Sequence, residues 1–568
     1  MSDITSVAPP GDADYHEAPR RRSLLKLGGI TLLAGGAVAG NAAFRVPGMA
    51  EAAAPETASM ADSKLPLDAQ SLVPIPSSRI PAAVARLDSI IGGVLAKTAV
   101  PGLAAAVVHD GRVLYAKGFG VRDVNSPARV DASTVFHLAS VSKSLSSTVV
   151  AGVVGRKVID WTDPVVAHLP TFALAHPYVT RHVTYGDLFS HVSGLPDHAG
   201  DLLEDLGYDR AYILNRLRLE PLGPFRGQWE YTNFGLTAAA EAAAAASGHS
   251  WAELADKVLF GPVNMPSSSF RYRDFLNEAN RAAMHVRVGE RWVQKYARDA
   301  DPEAPAGGAS SSVLDLANWL ILQLAGGTWK GKPVIDGDAL GQTHLPHALS
   351  APPRSPVSRS GFYGYGMNVS YDYAGRLRLG HSGAFLQGAS TAYTLLPSAS
   401  LGIVVLTNGM PIGVPEAVVN YFLDYVEAGS VQQDWLSLAG QALGSLYVNP
   451  SELAGQTPPR HPVPAKPDCF YTGTYGNPYY GPIRIVSDGT SLHLLIGPRP
   501  EDYVLRHWSG DLFAFYPTGE NALGITAATF NADADADDDA ADDDDSWRAK
   551  SVTLEYYNST GLGTFIRP

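Results

Sequence analysis

Apolar positions change their period along the chain, and the changes mark out its elements. Val84, Leu87, Ile91 and Val94 fall on one helical face, which predicts a helix over residues 80–96. Two apolar runs, 103–108 and 113–118, flank Asp110-Gly111, a dipeptide suited to a tight two-residue turn, and predict a β-hairpin. A longer helix opens near Ser140, carries Leu145, Val149, Val150, Val153 and Val154, and stops at Gly155. Helical patterns at 236–246 and 313–324 follow among turn-rich connections, and strand patterns return at 376–380, 391–396 and 401–406. A helix and hairpin, a helical middle and returning strands imply an α+β domain with a mostly antiparallel sheet.

Two more helical stretches, 415–427 and 435–446, lead to a proline run, Thr457-Pro458-Pro459-Arg460-His461-Pro462-Val463-Pro464. Such a run reads as a semi-rigid spacer and a domain boundary. Beyond it come seven short strand patterns, at 471–475, 482–487, 492–496, 503–507, 512–516, 527–530 and 552–556. Short strands in close succession predict a small β-barrel or sandwich. Residues 531–546 interrupt them with almost pure Asp and Ala, which reads as a solvated, self-repelling loop. The glycine and terminal glutamate of an EF-hand calcium loop are absent from it. The chain therefore divides into a large α+β domain at 80–448, a Pro-rich linker at 449–468 and a C-terminal β-barrel at 469–568.

The N-terminus reads differently. Arg21-Arg22-Ser23-Leu24-Leu25-Lys26 precedes an apolar, glycine-rich stretch over 27–40, then small residues around Ala50-Glu51-Ala52. That order describes an export signal over 1–52, and the paired arginines resemble the bacterial twin-arginine type. The apolar stretch is too short to span about 30 Å of hydrocarbon as a helix, so the mature chain is expected without a permanent membrane span, periplasmic or secreted. Residues 53–79, rich in Ala, Pro and Ser, are expected to form a flexible segment.

The net charge of −13 changes little once located, because nine of the negative charges are aspartates between Asp533 and Asp545. No basic stripe remains that could neutralise phosphates, which argues against nucleic-acid binding. The single cysteine, Cys469, excludes an internal disulfide framework and cysteine-based metal clusters, and is expected to be buried and inert.

Chemistry concentrates at Ser140-Val141-Ser142-Lys143. Residues three apart share a helical face, so the Ser140 hydroxyl and the Lys143 amine can meet. A serine needs a base to act as nucleophile, and a lysine becomes one near neutrality only if burial or positive neighbours lower its pKa. Alone the motif is weak, since Ser23-Leu24-Leu25-Lys26 shares its spacing. Tyr231-Thr232-Asn233 has rivals in Tyr447-Val448-Asn449, Tyr475-Gly476-Asn477 and Tyr556-Tyr557-Asn558, and His381-Ser382-Gly383 has one in His198-Ala199-Gly200. Order and spacing discriminate: Ser140, Tyr231 and His381 follow one another roughly 90 and 150 residues apart.

With that set, residues 80–408 resemble the serine β-lactamase and penicillin-binding-protein superfamily. Within it the resemblance is to class C β-lactamases, D-alanyl-D-alanine carboxypeptidases, D-aminopeptidases and related esterases. Phe136-His137-Leu138-Ala139, His191-Val192-Ser193-Gly194-Leu195-Pro196, Pro224-Phe225-Arg226-Gly227 and Gly307-Gly308-Ala309-Ser310-Ser311-Ser312 add to it. The resemblance implies an antiparallel sheet flanked by helices, with a helical subdomain. It implies Ser140 as nucleophile, Lys143 keeping Ser140 and Tyr231 in reactive protonation states, and Tyr231 as general base. A phenolate there needs nearby cations, Lys143 and, when protonated, His381. Asn233 would hold the substrate amide and the Lys143 amine, and Gly383 would permit close backbone approach on an edge strand. The N–H groups of Ser140 and Ala384 would form the oxyanion hole, where one donor is typically worth about 3 kcal/mol.

One departure bears on substrate. Where β-lactamases carry Lys in a Lys-Thr-Gly or Lys-Ser-Gly triplet, this chain has His381, positive only below a pKa of about 6.5. That weakens a carboxylate anchor and favours amide or ester cleavage over β-lactam hydrolysis. The expected function is a serine peptidase or amidase, needing no metal or cofactor and acting on small peptides. Those substrates could contain D-residues or be non-ribosomal, linearised cyclic peptides included. An esterase, a β-lactamase and a penicillin-binding sensor without turnover are the alternatives, and a homo-oligomer is compatible with the sequence. The C-terminal part resembles β-barrel modules appended to such hydrolases, through Tyr471-Thr472-Gly473-Thr474-Tyr475 and Tyr479-Tyr480-Gly481-Pro482.

Overall fold

The computed structural model describes residues 73–532 and 547–568; the export signal and the aspartate run lie outside the described residues. The predicted hairpin forms as β1 (Gly102–His109) and β2 (Arg112–Gly120), joined by Asp110 and Gly111 at φ 48° and 71°. Two consecutive positive φ values are what a type I′ turn requires, and that turn matches the twist of the strands. Further strands β3 (Ala348–Ala351), β4 (Gly361–Tyr363), β5 (Asn368–Tyr371), β6 (Leu377–Phe385), β7 (Ala389–Leu396) and β8 (Leu401–Thr407) complete the sheet. Its order is β2-β1-β8-β7-β6-β5-β4-β3, antiparallel throughout.

The central strands are covered on both faces. From β1, Ala104, Ala106 and Val108 point into one core and Leu103, Ala105 and Val107 into the other. A strand buried on both sides must be apolar at every position, which explains its continuous run. Helices α1 (Arg79–Val84) and α2 (Leu87–Thr98) cover one face together with the later helix Val414–Glu427, whose Val418 and Phe422 pack into that core. The single helix predicted over 80–96 is thus two: Arg86 N–H bonds to Ala83 O, a three-residue step that breaks the helical ladder. The opposite face holds α3 (Ser142–Gly155), α4 (Asn233–Ala246) and α5 (Val313–Leu324), which belong to the helical half of the domain.

After helix α6 (Val414–Glu427) and α7 (Trp435–Gly444), the proline run lies against the second domain, where Gly510 N–H bonds to Val463 O. That domain is an eight-stranded antiparallel meander, from β9 (Gly473–Tyr475) to β16 (Thr564–Ile566), one strand more than the pattern predicted. A bridge between Gly476 and Ile566 nearly closes it into a barrel. Tyr475, Ile485, Leu494, Phe515, Phe530 and Phe565 fill its interior. Cys469, expected buried, is exposed. Among the described residues no helix is long and apolar enough to cross a membrane.

The barrel sits on the first domain beside a cavity that Ser140 lines together with Glu520 and Asn521 of the barrel. Tyr208 donates its hydroxyl proton to Tyr480 O at 2.6 Å, and Tyr479 Oη accepts from Gly200 N–H at 3.1 Å. Asp205 accepts from the backbone N–H groups of Glu520 and Asn521 at 3.0 and 3.1 Å. Glu520 in turn accepts from the N–H groups of Leu386 and Gln387, in the turn between β6 and β7.

Candidate active site

Ser140 sits in a single 3-10 turn, Ala139–Val141, that feeds directly into α3. Ala139 takes φ 47°, a left-handed conformation that a non-glycine residue adopts only under constraint. The constraint is visible in the bonds around it: Leu138 N–H to Ala309 O at 2.9 Å, Thr391 Oγ1 to Leu138 O at 2.8 Å, and Ala309 N–H to Ser142 Oγ at 2.9 Å. The Gly307–Ser312 segment thus braces the turn.

Lys143, one helical turn on, is fully buried and gives its three ammonium donors to three acceptors. They are Asn233 Oδ1 at 2.7 Å, Ala306 O at 3.0 Å and Ser140 Oγ at 3.1 Å. Its nitrogen also lies 4.5 Å from the centre of the Tyr231 ring. Burial lowers Lys143 to about 8, with Glu303 and Asp201 opposing the shift. Tyr231 is buried as well, and its hydroxyl bonds to Ser140. Burial raises its pKa well above the usual phenol value; the Ser140 bond offsets this only in part, and Glu303 and Asp201 add to it.

His381 differs from the sequence expectation. Its Nδ1 lies 2.6 Å from Ser382 O and its Nε2 2.8 Å from the Tyr363 hydroxyl. A carbonyl can only accept, so Nδ1 carries the proton and Nε2 accepts from Tyr363. Burial and the nearby Lys143 charge lower His381 to about 3. The imidazole is therefore neutral near physiological pH, so it supplies neither the second cation expected beside Tyr231 nor a carboxylate anchor.

Gly383 lies where no side chain fits. A Cβ there would come 2.1 Å from Leu138 O and 2.4 Å from Thr391 Oγ1. Its strand β6 is fifth in the sheet rather than at the edge. Pairing with β5 ends at Gly380, however, so His381–Phe385 pairs only with β7 and Gly383 faces Leu138 O and Ser140 N instead. The backbone nitrogen of Ser140 is 3.1 Å from that hypothetical Cβ, and Ser140 and Ala384 line one cavity. Tyr231 and Asn233 line it too.

Several polar residues of this cavity carried no motif. Asn233 Nδ2 donates to Asp201 Oδ2 at 2.9 Å, and His198 Nδ1 lies 2.6 Å from the same oxygen. Burial alone would lower His198, but Asp197 and Asp201 raise it to about 9. His198 had looked like a rival of the His381 triplet; both histidines in fact flank Tyr231. Arg298 holds Glu204 and Glu303 and lies 3.5 Å from Asp205. Glu520 and Asn521 reach the cavity from the barrel, which a linear reading of the chain cannot show.

A base beside a half-buried serine, two backbone segments in close approach and a cavity lined by both can support acyl transfer. The Beta-lactamase family matches residues 87–427, and a Domain of unknown function (DUF3471) matches residues 457–550. The chain is 24% identical over 486 residues to the unguisins hydrolase of Aspergillus violaceofuscus, covering 76% of this chain and 82% of that one. It is 22% identical over 349 residues to Protein flp of Staphylococcus aureus, covering 59% of this chain and 64% of the other. The octameric penicillin-binding protein homologue from Pyrococcus abyssi shares the fold, with a TM-score of 0.53 at 20% identity over 85% of this chain and 100% of that one. A class C beta lactamase from Rhodobacter sphaeroides does so with a TM-score of 0.50 at 21% identity, over 59% and 97%.

Proposed function

The chain belongs to the Beta-lactamase family and is a serine hydrolase, and on that premise we propose that it cleaves amide bonds of small peptides through an acyl-enzyme on Ser140. The observation that carries the reading is the 3.1 Å contact between Lys143 Nζ and Ser140 Oγ, made by an amine whose burial brings it near neutrality. At pH 7 an amine of pKa about 8 is roughly one-tenth unprotonated, enough to serve as a base. In this reading neutral Lys143 takes the Ser140 proton as Oγ attacks the carbonyl. The oxyanion is held by the N–H groups of Ser140 and Ala384. Tyr231, as a phenol, gives its proton to the leaving nitrogen, and the proton on Lys143 restores it. Water then attacks the acyl-enzyme by the reverse transfers. Tyr231 as phenolate base, the role implied by the resemblance, is disfavoured by its burial and by a neutral His381.

The neutral His381 also favours peptides over β-lactams, since at its position no cation stands to hold their carboxylate. D-residue-containing, non-ribosomal and linearised cyclic peptides are the proposed class, in keeping with a relative named for hydrolysing unguisins. The test is intact-mass and turnover measurement with a p-nitrophenyl ester, a D-alanyl amide and a penicillin. Turnover of the first two, lost in Ser140→Ala, is expected; a stable penicillin adduct without turnover of either would replace the hydrolytic reading with a sensor. Export by the twin-arginine route is proposed from Arg21-Arg22, and cell fractionation with Arg21→Lys/Arg22→Lys tests it.

A further inference from the structure

Asn233 has both ends of its side-chain amide committed. Oδ1 accepts from Lys143 Nζ at 2.7 Å, and Nδ2 donates to Asp201 Oδ2 at 2.9 Å. The two ends of such an amide are nearly the same size, so its partners decide which one faces Lys143. A carboxylate only accepts; Asp201 therefore takes the Nδ2 end and leaves Oδ1 for the amine. Asp201 is buried at the start of the short helix Asp201–Asp205 and is itself held in place. His198 Nδ1 donates to the same Oδ2 across 2.6 Å, and the His198 N–H bonds to Tyr231 O at 2.8 Å, two residues before Asn233. Burial opposes a charge on His198, but Asp197 and Asp201 raise it to about 9, which keeps Nδ1 a donor near neutrality.

The orientation matters once Lys143 acts as a base. A neutral amine has two N–H donors and one lone pair. Ala306 O only accepts, and so does Asn233 Oδ1 as it is turned here, so the two N–H groups go to them. The lone pair is left for the third neighbour, Ser140 Oγ at 3.1 Å, whose proton it must take. With the amide reversed, Nδ2 would offer Lys143 a proton donor in competition with Ser140. We propose that Asp201 is a positioning residue, which holds the Asn233 amide in the one orientation that turns the Lys143 lone pair onto Ser140. The inference rests on the serine-hydrolase reading with Lys143 as base, and it adds to that reading a residue outside the three sequence motifs. His198 and Asp201 then act together through Asn233 without touching the reacting atoms.

The experiment compares Asp201→Asn with Asp201→Leu and Asp201→Ala in the full-length protein. All three remove the charge, but only the first can still present an oxygen to Asn233 Nδ2 and His198 Nδ1. Its amide nitrogen would replace Oδ1, which is buried with no hydrogen-bond partner, so no bond is lost there. Hydrolysis of p-nitrophenyl acetate is followed against pH, with Ser140→Ala as the blank. Lys143 is faced by Asp201 and Glu303, which raise its pKa, by His191, His381 and His198, which feel its charge, and by the Tyr231 ring. Without the Asp201 charge, Glu303 alone of these acids opposes burial, so the midpoint of kcat/KM should move to lower pH in all three variants. On the plateau above it, Asp201→Leu and Asp201→Ala are expected at least about ten-fold below Asp201→Asn. Circular dichroism and melting confirm each fold, and alanine adds no bulk should the leucine variant not fold. A smaller gap, or a midpoint that stays at the parent's, overturns the inference and leaves the hydrolase standing. Absence of Ser140-dependent turnover of this ester and of D-alanine p-nitroanilide by the parent overturns the proposed function itself, and this inference with it.

Discussion

The Tyr363 hydroxyl donates to His381 Nε2 across 2.8 Å, and with Nδ1 bonded to Ser382 O the ring has no nitrogen left for substrate. His381 thus shapes β6 as a neutral ring. Its imidazole resonances are expected to stay unshifted from pH 5 to 8, where a free histidine would titrate. Tyr363→Phe leaves a buried acceptor unmet, which should lower stability by about 1–3 kcal/mol in denaturant titrations. A His381 titration midpoint near 6.5 would return it to the role of a switchable cation.

Lys143 is expected to set the pH dependence of the proposed reaction. Because burial lowers it to about 8, kcat/KM should rise about ten-fold per pH unit below that value and level off above it. Lys143→Arg keeps the charge but cannot lose a proton, so it is expected to reduce kcat/KM at least 100-fold across that range. A profile that stays flat from pH 6 to 9 would remove Lys143 as the base.

Gly383→Ala tests the approach of the two backbones. The added Cβ would lie 2.1 Å from Leu138 O, and that oxygen is fixed by Thr391, so β6 must shift away from Ser140. Misplacing an oxyanion donor typically costs 10²–10³ in kcat. A loss of about that size is expected, with the melting temperature changing far less than the rate.

How much of this the sequence carried depends on how local each signal is. The Asp110-Gly111 turn and the helix Val313–Leu324 are written in neighbouring residues and form where the pattern puts them. The strands between Ala348 and Tyr371 have four residues or fewer, too short for alternation to register. Thr564–Ile566, three residues long, escaped the barrel pattern for the same reason. In the site, Ser140, Lys143, Tyr231 and Asn233 announced themselves by order and spacing. Glu303 and Glu520 did not, because their place depends on how two loops and a second domain dock around the cavity. The charge state of His381 was also hidden, since burial is a tertiary property.

Glu520 links stability to pH. Its folded pKa, raised to about 8 by burial although the Arg298 charge opposes the shift, exceeds the ordinary carboxylate value, so the folded chain binds an extra proton between roughly pH 4.5 and 8. Its contribution to stability is present below the lower value and lost as pH rises through the upper one. Glu520→Gln mimics the protonated acid. It should melt like the parent at pH 4 and a few degrees higher at pH 8.5, measured by calorimetry. A lower melting temperature at pH 8.5 would mean that the charged form, bonded to Leu386 and Gln387, is the stabilising one.

Tyr231→Phe separates the two candidate bases through the leaving group. If the Tyr231 phenol protonates the departing nitrogen, its loss matters most where that proton is required. An anilide or peptide amide leaves poorly as an anion and should acylate Ser140 at least 100-fold more slowly in the variant. A p-nitrophenyl ester releases a stable phenolate and needs no proton, so its acylation burst should slow by less than about ten-fold, with Lys143 still removing the Ser140 proton. If a Tyr231 phenolate were the base instead, ester and amide would suffer alike, because both begin with the same deprotonation. Pre-steady-state bursts on the two substrates, read side by side, decide between a buried phenol that donates and one that accepts.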